Sequence, residues 1–397
     1  MSGTQVHVHL FYGADPRRYR KGENIGSLYG YHHAESAEFA LDYARDASES
    51  APVRLVRRAM KAALGFDFIH AWRNRRAILD SDVIWTHTEQ EHLAVALVLL
   101  MHAKKGGARP LLLAQSVWLL DRWPGYGALR RALYQRLLKR ADLLTTLASE
   151  NAALCGDYFG RNARHVLYGL NTNDFPLRPP SHWQPNTPVR VAGIGNDRDR
   201  DWTTLVGALG NDARYQVRIA TRRRMPASAR ASNVEIVRVS GIQQQHALYE
   251  WADIIVVPLR PNTHASGITV MLEAAALGKP MIVTKVGALE DYFDEQAAFY
   301  VEPFNTEQLR DAVNALVDDP ARALAQAREA CEQLRTRDLT TENFARQHAH
   351  LTREMLRERD PRVAQPAHAG ARPMGQTAGQ TAEQAAGQAV KQTAGRV

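Results

Sequence analysis

A chain of 397 residues exceeds what one ordinary hydrophobic core serves, so two domains are expected. Its composition, 45% hydrophobic and 23% charged, is globular and excludes a largely disordered protein. The net charge of +8 is uneven: residues 1–185 carry 24 Lys and Arg against 17 Asp and Glu, which points to an anionic partner on that half.

Residues 5–12 alternate and predict a first strand. Arg17, Arg18, Arg20 and Lys21 then lead into a glycine-rich loop containing Gly26, His32 and His33, followed by a predicted helix over about Ala34 to Asp46. The loop is not a P-loop, since the Gly-Lys-Ser/Thr ending is missing; Gly26 and His32 are candidates for contacting an acceptor or a phosphate. Residues 53–64 put Leu55, Val56, Ala59, Met60, Ala63 and Leu64 on one helical face and Arg54, Arg57, Arg58 and Lys61 on others. The segment Tyr126 to Arg140 repeats that pattern. Two basic amphipathic helices can lie on an anionic membrane surface, or they can pack on a core with their charges in water.

Asp82 to Glu89 and Arg109 to Trp118 read as strands that run into polar loops at their carboxyl ends, the ligand edge of an open α/β sheet. His87, Glu89, Glu91 and Asp121 fall there, and His87 and Glu89 are the residues expected to act as general base on a hydroxyl. The longest apolar run, Leu93–Met101, is far shorter than the ~20 residues a membrane span needs. Cys155 and Cys331 match no metal spacing, and no signal-like N-terminus is visible, so a reduced cytoplasmic protein is expected. Prolines stiffen a linker over 181–188.

The second half begins with the strand from Val189, which ends at Gly195 and is followed by Arg198 and Arg200. A guanidinium placed where a helix starts beside a strand end pairs bidentately with phosphate. The buried run Ala252 to Arg260 then leads into His264-Ala-Ser-Gly-Ile-Thr-Val-Met-Leu-Glu273. Its Ser266-Gly267 pair opens a helix at a strand's carboxyl end, where unpaired N–H groups and the helix dipole form an anion site. Beyond about 360 the composition turns to Gln, Ala, Gly and Thr, which cannot build a core and is expected to be disordered.

The run from Ser266 through Glu273 to Gly278-Lys-Pro-Met-Ile-Val-Thr284 resembles the donor-binding motif of nucleotide-sugar glycosyltransferases of the GT-B fold. Ala141-Asp142 and Gly169 to Phe175 resemble the family's passage into the hinge, and the likeness is to bacterial exopolysaccharide and lipopolysaccharide enzymes, group 1 or GumK-like. The resemblance implies an α/β fold of two Rossmann-like domains with parallel sheets facing across a cleft: residues 1–180 for the acceptor, 189–340 for the nucleotide-sugar, and a closing helix over 341–360. It implies that Arg200 or Arg198, Ser266, Gly267, Ile268 and Thr269 hold the donor diphosphate, that Gly241 and Ile242 read the nucleobase, and that Glu273 takes a ribose or sugar hydroxyl.

The implied reaction moves a hexosyl or glucuronosyl group from a UDP- or GDP-linked donor to a polyprenyl-diphosphate-linked saccharide, at the inner face of the plasma membrane. Asp121 would help to hold the acceptor. No cofactor, no obligatory metal and no nucleic acid are expected. One departure is plain: where retaining members carry two glutamates separated by seven residues, Ala265 occupies the first position with His264 beside it, so the stereochemical outcome does not transfer. A nucleotide-sugar epimerase of the same fold and a non-enzymatic nucleic-acid-binding protein stay open as alternatives.

Overall fold

The computed structural model describes residues 3–18, 29–102 and 109–359. They form two sheets of six parallel strands. The first holds β1 (Thr4–His9), β2 (Phe39–Tyr43), β3 (Val83–Thr86), β4 (Leu111–Ser116), β5 (Leu143–Thr146) and β6 (Ala163–His165), in the order β2-β1-β3-β4-β5-β6. The second holds β7 (Val189–Ile194), β8 (Tyr215–Ala220), β9 (Val234–Val237), β10 (Ile254–Val257), β11 (Met281–Thr284) and β12 (Phe299–Val301), in the order β12-β11-β10-β7-β8-β9. Central strands such as β3 and β10 are buried along their whole length, as expected when helices cover both faces of a parallel sheet. The apolar run before Met101 lies in the helix Glu89–Met101, which is buried nearly all round rather than on one face.

Each sheet reverses its strand order once, at β1/β3 in the first and at β7/β10 in the second. In open α/β sheets, ligands bind outside the carboxyl ends of the strands at such a reversal. Arg200 follows β7 and the His264–Gly267 loop follows β10, so topology brings these two together, and His87, after β3, stands at the corresponding edge of the other sheet.

Two passages join the lobes and run side by side. Leu170 N–H donates to the Leu339 carbonyl at 2.9 Å, and Thr341 N–H donates to the Leu170 carbonyl at 3.0 Å. A Cβ at Gly169 would overlap the Thr340 backbone, which is why glycine stands at the crossing. The last helix, Thr341–Arg359, returns to the first sheet, where Trp85 Nε1 donates to Thr352 Oγ1 at 2.8 Å and Arg353 forks onto Glu38.

Two expectations fail locally. The segment 34–46 is not a helix but a 3-10 turn, Tyr31–Ala34, followed by β2; Phe39, Leu41 and Tyr43 alternate with Ala40 and Asp42, a period of two rather than 3.6. The helix Ala51–Leu64 exists, but it does not pack its apolar face on the core with its charges in water. Arg57 is its buried residue, pairing with Glu49 at 2.8 Å and Asp67 at 2.5 Å and lying over the Tyr12 ring, while Leu55 and Val56 are 69% and 54% exposed. Gly26 lies outside the described residues.

Candidate functional site

A cavity of about 230 Å³ opens between the two lobes at the strand reversals, lined by Tyr29, His87 and Tyr168 on one side and by Arg200 and the loop His264–Thr269 on the other. The groove of about 500 Å³ beside Arg109 and Glu354 is larger but lies at the amino ends of strands, away from the reversals.

Two glycines shape the C-terminal wall. A Cβ at Gly195 would overlap the Arg200 side chain, and one at Gly267 would lie 2.8 Å from Arg200 Nη1 and 2.5 Å from Val257. Gly267 also has φ +91°, a conformation that glycine adopts without strain. The guanidinium is therefore inlaid between the end of β7 and the start of the helix Ile268–Ala276. Arg200 is buried, and burial pushes its pKa down; Asp197 lies 3.4 Å from its Nε. Arg200 Nη1 and Ser266 Oγ are buried with no hydrogen-bond partner among the described residues. Buried donors of this kind are costly unless something satisfies them, and an anion at the helix start would satisfy both. Arg198, by contrast, is half exposed and turned to Asp199 at 3.4 Å. Of the two arginines, Arg200 is the one in the cleft.

Glu273 sits one layer deeper, where its Oε2 accepts from Gln245 Nε2 at 2.7 Å and from the Tyr249 hydroxyl at 2.6 Å. Burial pushes its carboxyl up to about 7, against those hydrogen bonds and Arg200. Gln245 and Tyr249 belong to the helix Gly241–Trp251, whose first residue, Gly241, has φ +77°, and Ile242 packs on the core beneath the donor loop.

On the opposite wall, His87 is buried and stacked on Tyr29 at 3.5 Å. Gln115 Nε2 lies 3.1 Å from the His87 carbonyl, which can only accept, so the amide must present its NH₂ there. The same NH₂ then donates to His87 Nδ1 at 3.3 Å, where the Tyr31 hydroxyl also sits at 3.1 Å, and the ring proton is left on Nε2. Burial pushes the His87 pKa down to about 3. Such a ring can donate a hydrogen bond from Nε2 and is too weak a base to take a proton near neutrality.

Glu89, the other expected base, is not in the cavity wall. Its Oε2 accepts from Val117 and Trp118 N–H at 3.3 and 3.1 Å, which holds the loop after β4 in place. His32 is exposed and lies against His33, which faces Glu342 of the closing helix.

Asp121 reaches across the cleft to the other lobe. Its Oδ1 accepts from Thr263 N–H at 2.7 Å and from Thr263 Oγ1 at 2.5 Å, and its Oδ2 pairs with His264 Nδ1. The sequence reading missed His264, Tyr29 and Tyr168 as cleft residues; the one signal for His264 was its place beside the position where relatives carry the first glutamate.

Residues 201–319 match the family model of group 1 glycosyl transferases. No curated protein matches the chain in sequence. Among solved structures, the chain is similar to sucrose-phosphate synthase from Thermosynechococcus elongatus (TM-score 0.67, 18% identity, 89% of this chain and 100% of that one). It is also similar to HepE from Anabaena in complex with UDP and glucose (TM-score 0.64, 13% identity, 87% and 98%). A third is the UDP-forming α,α-trehalose-phosphate synthase from Burkholderia xenovorans, in complex with glucose-6-phosphate (TM-score 0.57, 13% identity, 89% and 100%). At these identities the structures speak for the fold, and the family model speaks for the chemistry of the lobe that carries His264, Gly267 and Glu273. That lobe is a group 1 glycosyl transferase domain, and the chain is a glycosyltransferase of the GT-B fold.

Proposed function

We propose that this glycosyltransferase moves a sugar from a UDP-linked donor to a hydroxyl of a lipid-linked saccharide presented at an anionic membrane surface, as in bacterial polysaccharide assembly of the GumK-like kind. The observation that carries the donor half is the buried Arg200 Nη1 and Ser266 Oγ, unpartnered among the described residues, at the start of the helix Ile268–Ala276. These groups suit a diphosphate, with the backbone of Gly267, Ile268 and Thr269 adding N–H donors and dipole. As the sugar leaves, the new charge on the diphosphate oxygen falls in their field, so no metal is needed for this step. Glu273 and the start of the helix Gly241–Trp251 take the nucleoside, and His87 Nε2–H donates to the sugar. HepE, crystallised with UDP and glucose, makes uridine the first nucleotide to test. In a thermal-shift series with UDP, UDP-glucose and GDP, UDP and its sugar are expected to raise the melting temperature. No shift from any nucleotide would remove the donor half of the reading.

The acceptor half rests on the N-terminal lobe's surface. Val53, Leu55 and Val56 are exposed beside Arg54 and Arg58, and Leu129 is 90% exposed beside Arg130. Arg130 Nη2 donates to the Ala63 carbonyl at 2.9 Å and the Tyr134 hydroxyl to the Leu64 carbonyl at 2.7 Å, so the two helices are neighbours. Apolar side chains ringed by arginines suit the boundary of an anionic bilayer. No helix among the described residues is long and apolar enough to cross a membrane. In flotation assays the protein is expected to rise with phosphatidylglycerol-containing vesicles but not with phosphatidylcholine ones. Leu55→Glu/Leu129→Glu should lower binding roughly 10- to 100-fold by removing two apolar side chains that would enter the bilayer, without altering the UDP-induced shift.

A further inference from the structure

The order of the second sheet sets the carboxyl ends of β10, β7, β8 and β9 side by side. An arginine stands just past each of them: Arg260 after β10, Arg198 and Arg200 after β7, Arg222, Arg223 and Arg224 after β8, and Arg238 after β9. Four neighbouring strands span only about 15 Å, so topology gathers residues that the sequence scatters from 198 to 260. The loops are tied together. Gly195 N–H donates to the Ala220 carbonyl at 3.0 Å, Thr221 N–H to the Val237 carbonyl at 3.2 Å, and Arg260 N–H to the Asp199 carbonyl at 2.8 Å. Arg222 N–H donates to Asn196 Oδ1 at 2.6 Å, which holds the triplet loop against the loop that carries Arg200 into the cavity. Asp197 and Asp199, the acids of that loop, face Arg200 and Arg198, each at 3.4 Å. Glu235 on β9 is taken by Arg218 at 2.8 Å. The side chains of Arg222, Arg223, Arg224, Arg238 and Arg260 are exposed, and among the described residues they form no ion pair or hydrogen bond. Residues 186–397 carry 26 Lys and Arg against 25 Asp and Glu, so these five free charges are a local concentration and not part of a general excess.

We propose that this row of arginines is a capture rim for the nucleoside-diphosphate donor, drawing the anion to the mouth of the cleft from which Arg200 takes it. This rests on the donor half of the reading above and adds the route by which the donor arrives. Five like charges on adjacent loops repel one another and contribute nothing to the fold, whereas arginines with a structural role would meet carboxylates here, as Arg57 does elsewhere. None of the five lines the cavity, so they act on the approaching ligand and not on the bound one. At an ionic strength of about 10 mM the Debye length is about 30 Å, longer than the whole row, and a diphosphate meets the five charges as one patch. Such a field beside a cleft raises association rates by about 10- to 1,000-fold and leaves dissociation nearly untouched. Arg198 adds little to it, because Asp199 offsets its charge.

The test compares the full chain with Arg222→Gln/Arg223→Gln/Arg224→Gln and with the matching triple lysine variant. Each is mixed with UDP, or with GDP should only that bind, in a stopped-flow instrument that follows tryptophan emission, since Trp118 lines the cavity. At an ionic strength of about 10 mM the glutamine variant is expected to associate about 10-fold more slowly than the parent, with dissociation within about twofold. The lysine variant should keep the parent rate, because the field needs the charge and not the guanidinium fork. At about 1 M salt, where the Debye length is about 3 Å, parent and glutamine variant should associate equally fast. Melting temperatures without nucleotide are expected to agree, as the three side chains are exposed and unpaired. An unchanged association rate at low salt, a loss that survives high salt, or a change confined to dissociation would each overturn the rim. Those outcomes leave the donor reading standing, since the parent still binds; a parent that binds neither UDP nor GDP would bring down the donor reading and the rim with it.

Discussion

Replacing Arg200 by glutamine is expected to abolish nearly all of the stabilisation that UDP confers. A charge-assisted bond to phosphate from a buried guanidinium contributes about 2–3 kcal/mol, so affinity should fall roughly 30- to 150-fold. At a UDP concentration a hundred times the parent's Kd, the parent gains about 2.7 kcal/mol from binding, and a variant weakened a hundredfold gains about 0.4 kcal/mol. The unliganded variant should melt close to the parent temperature. Arg200 sits buried with Nη1 unpartnered among the described residues, so its removal relieves a desolvation cost even as it leaves Asp197 without its neighbour. A purely structural arginine would behave in the opposite way, with the unliganded protein losing several kcal/mol and the ligand shift surviving. Arg198→Gln is the matched control: its half-exposed side chain faces Asp199, and UDP affinity should stay within about threefold of the parent. Equal loss in both variants would mean that the cleft arginine has been misassigned.

The C-terminal wall of the cleft was readable in advance because its signals are local. Ser266-Gly267 stands directly before an apolar helix and after a β-branched strand, and a strand end, a glycine and a basic residue recur at Gly195 and Arg200. What periodicity does not carry is which face of an amphipathic helix turns inward. Arg57 is buried because Glu49 and Asp67 wait for it, one before the helix and one after it, and that outcome depends on tertiary partners rather than on spacing. The Phe39–Tyr43 strand was missed since five alternating residues in an Ala- and Glu-containing stretch also satisfy a helical pattern. The Asp121–His264 pair leaves no trace in local sequence: a contact that spans two lobes is a property of how the sheets face each other. The tautomer of His87 is likewise set by Gln115 on the neighbouring strand, 28 residues away.

Stability should rise with pH from acid to about neutrality and then level off, because two sets of buried groups act in opposite directions. Burial pushes His87 and His92 down to about 3 and His348 down to about 4, and it lowers His9 and His70 as well. As pH falls below about 6.5, the unfolded chain binds protons on these rings and the folded chain does not, so acid favours unfolding. Burial acts in the other direction on Glu91 and Glu273, raising both to about 7. Between about 4.5 and 7 the folded chain holds protons on these two carboxyls that the unfolded chain has released, so each loses stabilisation as pH rises, on the order of 3 kcal/mol by pH 8. Up to about pH 7 the five histidines outweigh the two glutamates, and above it the two sets nearly cancel. Glu91→Gln separates the two effects. Glu91 Oε2 accepts from Thr88 N–H at 2.6 Å and from the Thr88 hydroxyl, bonds that the glutamine carbonyl can keep. The variant should therefore match the parent at pH 4.5 and exceed it by about 1–3 kcal/mol at pH 8, as read from urea unfolding at pH 4.5, 6.5 and 8. A gain of the same size at every pH would attribute the effect to packing rather than to the buried charge.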